Sequence, residues 1–123
     1  MKIYKDWLNR NGCHFVDAYS GLFFQYQGCT FFVRNNNDDE GYLQLLLPKI
    51  DDGINGERKN KALNVLNHIN RIVKCLKGTL TDDGEVWLAA EILVAKNSNI
   101  DEIFSRLLDI LMLGRLEYAK LMN

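Results

Sequence analysis

Apolar residues recur along this chain with two different spacings, and the changes between them divide it into predicted helices and strands. From Glu57 to Lys77 they recur every three or four residues, which is typical of a helix with one buried side. We therefore predict a central helix that lies across a sheet. Its buried stripe comprises Ala62, Val65, Leu66, Ile69, Ile72, Val73 and Leu76.

The asparagines of this central helix need an explanation, because asparagine competes for backbone hydrogen bonds and is a poor helix former. Asn60, Asn64 and Asn67 lie on the polar side, where we expect solvent to surround them. Asn70 lies at the flank of the apolar stripe. There its amide can bond to a sheet edge or a loop, which would fix how the helix crosses the strands.

Before the central helix the apolar residues alternate with polar ones, as in strands with one buried face. Leu22–Gln27 and Cys29–Arg34 are aromatic and β-branched, and each predicts a strand. Tyr42–Leu47 predicts another, which we expect Pro48 to end because proline cannot donate to the sheet. Cys13–Tyr19 is a weaker strand. Residues 35–41 predict a polar turn.

After the central helix, Asp83-Gly84 lies between two strand-like segments, which is a strong signal for a hairpin. In residues 85–95 the apolar side chains alternate, so Trp87 is predicted to face away from the core. The residues predicted to face the core are Val86, Leu88, Ala90, Ile92 and Val94.

Two further helices flank these elements. Residues 2–11 predict a short helix that docks through Trp7 and Leu8. Asn99, followed by Glu102, predicts the start of a last helix that runs to about Leu121. Short connections make the sheet antiparallel. The chain is predicted to be one α+β domain, residues 1–123, with the order helix, strands, helix, hairpin, helix.

Several segments resemble one known family. They are Phe24-Gln-Tyr-Gln-Gly28, Thr30–Val33, Tyr42–Pro48, a helix with Asn67-x-x-Asn70, and the strand–Asp-Gly–strand pair. Together they resemble the YbjN-type family, which is similar in fold to the class I type III secretion chaperones. The resemblance covers almost the whole chain. It implies a type III secretion chaperone-like fold, an affinity for protein partners and a regulatory or chaperone-like role, and it carries no catalytic residues.

Composition and charge exclude several functions. A formal net charge of −1 lacks the basic stripe that nucleic-acid binding requires. No segment approaches the roughly 20 apolar residues of a membrane span, and the first residues lack a signal-peptide core. Cys13, Cys29 and Cys75 form no C-x-x-C pair, which favours free thiols in a reducing compartment. We expect a cytoplasmic protein without nucleic-acid or membrane partners.

Residues able to hold a metal or carry catalysis are few. His14 adjoins Cys13, but neighbouring strand residues face opposite sides of a sheet. His68 and Cys75 provide two ligands on one helix, where zinc requires three or four. The loop that begins at Asn36 has the spacing of a calcium loop, but its twelfth position is Leu47, where such a loop needs a glutamate. With no phosphate-binding loop or nucleophile elbow either, we expect no enzyme, no metal and no cofactor.

The last helix has an apolar second side. Met112, Leu113 and Leu116 project where a surface helix should be polar. Either the N-terminal helix covers this side within one chain, or another copy or a partner contacts it. The main stripe, by contrast, comprises Ile103, Phe104, Leu107, Ile110, Leu111, Tyr118, Leu121 and Met122.

These observations favour a non-enzymatic protein-binding module, chaperone-like or regulatory, that acts as a homodimer. The candidate protein-binding residues are Trp87, Met112, Leu113 and Leu116. The alternatives are a structural or accessory subunit of an unknown assembly and a small-molecule-binding protein.

Overall fold

The computed structural model describes residues 1–36 and 41–123, so most of the predicted turn at 35–41 lies outside the described residues. Within them the chain forms three helices and six strands. In chain order these are α1 (Lys2–Arg10), β1 (Phe15–Ala18), β2 (Gly21–Tyr26), β3 (Cys29–Arg34), β4 (Tyr42–Asp51), α2 (Gly56–Ile72), β5 (Leu76–Leu80), β6 (Val86–Leu93) and α3 (Ile100–Met122). The predicted α+β class and order of elements are confirmed.

The six strands form one antiparallel sheet in the order β1-β2-β3-β4-β6-β5. One face packs against the helices: Leu22, Phe31 and Leu88, for example, share a single buried cluster with residues of all three helices. Among the described residues, the small buried cluster on the other face contains no helical residue. We call this second side the helix-free face.

The two terminal helices dock as their sequences predict. Trp7 and Leu8 of α1 are buried, and the Trp7 ring lies 4.8 Å from the ring of Phe104 on α3, measured between centroids. At the start of α3 the backbone N–H of Glu102 donates to Oδ1 of Asn99 over 3.2 Å. This side-chain cap satisfies one of the donors that a helix leaves free at its first turn.

The central helix ends earlier than predicted. α2 stops at Ile72 rather than Lys77, and Leu76 already belongs to β5. The chain reverses at Cys75, whose φ of 65° is left-handed. Val73 and Leu76 are buried all the same, because the chain turns back onto the same core. Their spacing in the sequence matches a helical period although neither residue lies in α2. Ile72, which was predicted to belong to the buried stripe of this helix, is 53% exposed.

Pro48 does not end its strand, contrary to prediction. Leu47 pairs with Leu88 and Asp51 pairs with Val86, so four residue steps on β4 match two on β6. Lys49, within this irregularity, has a φ of 53°. A bulge leaves residues outside the ladder, so the missing N–H of proline costs little there.

Asn70 joins α2 to the edge strand β5. Its Nδ2 donates to the carbonyl of Gly78 over 3.1 Å, and the N–H of Gly78 donates to its Oδ1 over 2.7 Å. The helix approaches the strand so closely that a Cβ added to Gly78 would lie 2.7 Å from Cδ2 of Leu66. The predicted bond between Asn70 and a sheet edge is therefore present.

Candidate protein-binding surface

A row of apolar side chains crosses the helix-free face from β1 to β6. The pairing registers place Val16 opposite Phe23, Phe23 opposite Phe32, Phe32 opposite Leu46, and Leu46 opposite Ala89. We call these five residues the apolar row. Antiparallel registers align side chains of opposed residues on one face, so the row is continuous across five strands.

The apolar row is buried at one end and exposed at the other. Phe32, Leu46 and Ala89 are each only 6% exposed although no described helix covers them, whereas Phe23 is 41% and Val16 58% exposed. The rings of Phe23 and Phe32 contact each other with centroids 4.5 Å apart. The accessible apolar surface of the row is therefore concentrated on β1 and β2.

Phe32 is held in place by Gly21 of the neighbouring strand. A Cβ added to Gly21 would lie 2.7 Å from Cζ of Phe32 and 2.1 Å from the carbonyl oxygen of Val33. The ring thus lies directly against the glycine backbone, where any side chain would displace it. This contact is a local reason why Phe32 is buried on an uncovered face.

Trp87, a predicted binding residue, flanks the buried end of the row and is partly buried against it. Its indole Nε1 donates to Oε1 of Glu85 over 3.0 Å, and Nζ of Lys49 lies 3.5 Å from the other carboxylate oxygen. The indole hydrogen bond, aided by the charge of Lys49, outweighs desolvation and lowers the pKa of Glu85. Glu85 therefore stays ionised at neutral pH and holds the indole in one orientation.

Glu91 anchors a polar network beside the row. Its carboxylate accepts from the hydroxyl of Tyr42, from Nε2 of Gln44 over 2.9 Å, and from Nζ of Lys77 at 3.0 Å. Partial burial favours the neutral acid, but these hydrogen bonds outweigh it and lower the pKa of Glu91. Because donors already engage both oxygens, this carboxylate is poorly placed to act as a general base.

A shallow depression of about 340 Å³ lies between Trp87 and Glu91. These two large residues flank Ala89 on the same face of β6, and the small alanine side chain leaves the space between them open. The lining of the depression comprises Gln44, Leu46, Lys77, Thr79, Thr81, Trp87, Ala89 and Glu91.

The other three predicted residues lie on a different surface. Met112, Leu113 and Leu116 belong to α3, which packs on the opposite face of the sheet from Trp87. Met112 packs partly against the main core, whereas Leu113 is 49% and Leu116 59% exposed. The fold therefore separates the four residues into two surfaces.

One of the two alternatives for the second side of α3, that the N-terminal helix covers it, is wrong. The ring contacts of α1 on α3 are made at Phe104, near the start of that helix, by Tyr4 and Trp7. Leu113 and Leu116 lie further along and stay exposed. The N-terminal helix therefore does not cover these two leucines.

The apolar row itself was not predicted as a site. Phe23, Phe32 and Leu46 occupy the positions of their strands that face away from the core, where alternation calls for polar residues. That departure from alternation is visible in the sequence. Its meaning depends on registers that bring residues from distant parts of the chain side by side.

Metal-binding groups are not gathered anywhere in the described residues: no three His, Cys, Asp or Glu side chains are placed to share an ion. Cys13, Cys29 and Cys75 are free thiols, and burial raises the pKa of Cys13. In residues 1–36 and 41–123, no helix is long and apolar enough to cross a bilayer.

Sequence comparison matches the chain to no protein family and to no curated protein. Its structure does match solved structures. YbjN of E. coli, described as a candidate transcription regulator, superposes with a TM-score of 0.66 at 12% identity over 98% of this chain and 87% of its own. An uncharacterised protein from Methanothermobacter thermautotrophicus gives 0.69 at 9% identity, over 98% and 94%.

The fold is YbjN-like. The predicted resemblance is confirmed for the fold. It is confirmed no further than that, because identities of 12% and 9% establish shared architecture only. The relationship to secretion chaperones stays a prediction.

Proposed function

We propose that this chain is a non-enzymatic protein-binding module, regulatory or chaperone-like, that holds a partner polypeptide on the helix-free face. The observation that carries the proposal is the apolar row, with its exposed end at Val16 and Phe23. Aromatic side chains that are exposed on a rigid scaffold are typical anchors of protein interfaces.

The energy available at this end of the row is modest but useful. Phe23 exposes 41% of its side chain, and covering that fraction is worth about 1–2 kcal/mol. The ring does not need to be ordered on binding, because it already packs against Phe32. A preorganised anchor of this kind reduces the entropy lost on association.

Two further observations support a binding role. The carboxylates of Glu85 and Glu91 are engaged by donors within the sheet, which suits a structural role better than proton transfer. The structural neighbour YbjN is described as a candidate transcription regulator, which is compatible with a regulatory partner for this chain.

The proposed location is the cytoplasm, which the free thiols of the three cysteines suit.

The proposal is tested by comparing Phe23→Ser with Leu63→Ser. Both residues are apolar and similarly exposed, at 41% and 45%, but Leu63 lies on α2. Proteins captured from native lysate by the wild-type chain should be retained by Leu63→Ser and lost with Phe23→Ser. Hydrogen exchange on the wild-type complex should show protection in β2 and β3. Equal capture by all three chains, or protection confined to the helices, would overturn the proposal.

We further propose that the chain forms a homodimer through the exposed side of α3. Burying the exposed halves of Leu113 and Leu116 is worth about 1.5–3 kcal/mol per subunit. A stable interface covers roughly 800 Å² on each partner, so neighbouring side chains must contribute as well. Leu113→Glu with Leu116→Glu should give a folded monomer by light scattering with unchanged circular dichroism. A monomeric wild-type chain at high micromolar concentration would exclude the dimer.

A further inference from the structure

The two edge strands of the sheet differ in whether their outward backbone groups are hydrogen-bonded. At the β5 edge, the amide of Asn70 occupies both the N–H and the carbonyl of Gly78, as a neighbouring strand would. Among the described strands, β1 at the opposite edge pairs with β2 alone. An edge strand with unpaired backbone groups is a template for another strand. The β5 edge is thus blocked at its middle, which makes β1 the better candidate for strand addition.

The hydrogen-bond pattern shows which groups of β1 point outward. The N–H of Gln25 donates to the carbonyl of His14 over 3.1 Å, so His14 directs its backbone groups toward β2. Because such pairs alternate in an antiparallel ladder, Val16 does the same, and Phe15 and Asp17 direct theirs away from the sheet. In the described part of the chain, no group hydrogen-bonds to these outward N–H and C=O groups.

The side chains at this edge differ between the two faces. Val16, the exposed end of the apolar row, lies on the helix-free face. On the other face the carboxylate of Asp17 is paired with Nζ of Lys5 at 2.5 Å. An added strand would therefore meet an apolar neighbour on one face and a neutralised charge pair on the other.

We infer that β1 is the docking edge and that its occupant is an extended polypeptide segment, which adds as a seventh strand beside Val16. This inference rests on the proposed function and specifies how the partner is bound. Only an extended backbone presents N–H and C=O groups at the spacing that Phe15 and Asp17 require. The segment should alternate apolar and polar residues, with its apolar side chains extending the apolar row.

The area at this edge fits a short segment better than a second folded copy. β1 has four residues, and the exposed parts of Val16 and Phe23 amount to on the order of 150–200 Å² of apolar surface. A stable interface between folded proteins covers roughly 800 Å² on each side. A single added strand requires far less surface, and its main-chain hydrogen bonds contribute much of the affinity.

The inference is tested with a synthetic peptide of seven residues, alternating valine and threonine, with blocked ends and one terminal lysine. Protein NMR with the wild-type chain should show slower solvent exchange of the Phe15 and Asp17 amides as peptide is added. The amide of Val16 already faces β2 and should change little. The same peptide N-methylated at alternate residues cannot donate along one edge, and it should bind at least tenfold more weakly.

A matched pair of variants separates the backbone from the side chain. Asp17→Ala and Asp17→Pro both remove the ion pair with Lys5, but only the proline removes the outward N–H. Peptide binding should survive in Asp17→Ala and be lost in Asp17→Pro. If Asp17→Pro does not fold, the N-methylated peptide still decides the question on the wild-type chain.

Several results would overturn strand addition. One is equal binding of the two peptides, another is no binding at all, and a third is exchange protection that leaves the Phe15 and Asp17 amides of β1 unchanged. Concentration-dependent protection of Phe15 and Asp17 without peptide would assign the edge to a second copy instead. If the partners lost with Phe23→Ser are still bound by Asp17→Pro, the helix-free face binds partners without strand addition. If the peptide binds at β1 but Phe23→Ser captures the same proteins from lysate as wild type, the proposed role of the helix-free face is refuted and strand addition at β1 stands.

Discussion

Replacing Asn70 by alanine tests whether its side chain secures the edge strand β5. The change removes both hydrogen bonds to the buried Gly78, which span 2.7 and 3.1 Å. Each such bond contributes about 0.5–1.5 kcal/mol, and a buried backbone group left unpaired costs about 1–3 kcal/mol. Alanine returns up to about 0.7 kcal/mol as the better helix former. We therefore expect a net loss of about 1–3 kcal/mol in the free energy of unfolding.

The matched control is Asn67→Ala, one turn earlier on the exposed side of α2. That change removes no hydrogen bond within the described residues, so it should be neutral or stabilising by up to about 0.7 kcal/mol. Asn70→Asp should fall between wild type and Asn70→Ala, because a carboxylate can accept from Gly78 N–H but cannot donate to its carbonyl.

Urea denaturation followed by far-UV circular dichroism measures the three variants, and native-state hydrogen exchange follows the amide of Gly78. Protection of that amide should fall in Asn70→Ala and stay unchanged in Asn67→Ala. The reasoning is refuted if the two alanine variants are equally stable, or if Gly78 stays protected without the asparagine.

Three further predictions concern the core and the ionisable groups. Ile69→Ala should lower the free energy of unfolding by about 2–5 kcal/mol in chemical denaturation, because Ile69 is fully buried on the core-facing side of α2. A loss no larger than that of a substitution at an exposed position of α2 would contradict this packing. Burial raises the pKa of Tyr118, and so do its hydrogen bond to Asp51 and the negative charge of that carboxylate. Its contribution to stability should be complete below about pH 10 and fall as the pH rises further. Tyr118→Phe should reduce that alkaline dependence, and the part that remains belongs to Tyr4 and Tyr26, whose pKa values burial also raises. Glu91 has a lowered pKa, so its contribution should be present above its ordinary value near 4.5 and fall under more acidic conditions. Glu91→Gln should flatten this acid limb of the stability profile, and an unchanged limb would contradict the assignment.

The candidate surface was only partly predictable, for a reason that concerns strand register. The outward orientation of Trp87 follows from the alternation of its own strand and needs no other information. The alignment of Val16 with Phe23 and then Phe32 depends on which residues face each other across two strand boundaries. A shift of one residue in either pairing would turn these side chains to the opposite face.

The sequence by itself determined the elements whose signals are local. The cap at Asn99 and the Asp83-Gly84 hairpin depend on residues a few positions apart, and the α+β order follows from them. Tertiary structure decided where α2 ends and how β4 passes Pro48, because burial against a shared core can imitate or override a local period. It also decided that Asn70 occupies the middle of one sheet edge, while no described group bonds to the outward backbone groups of β1 at the other edge. That difference arises from the packing of a helix against a strand, and no single segment encodes it.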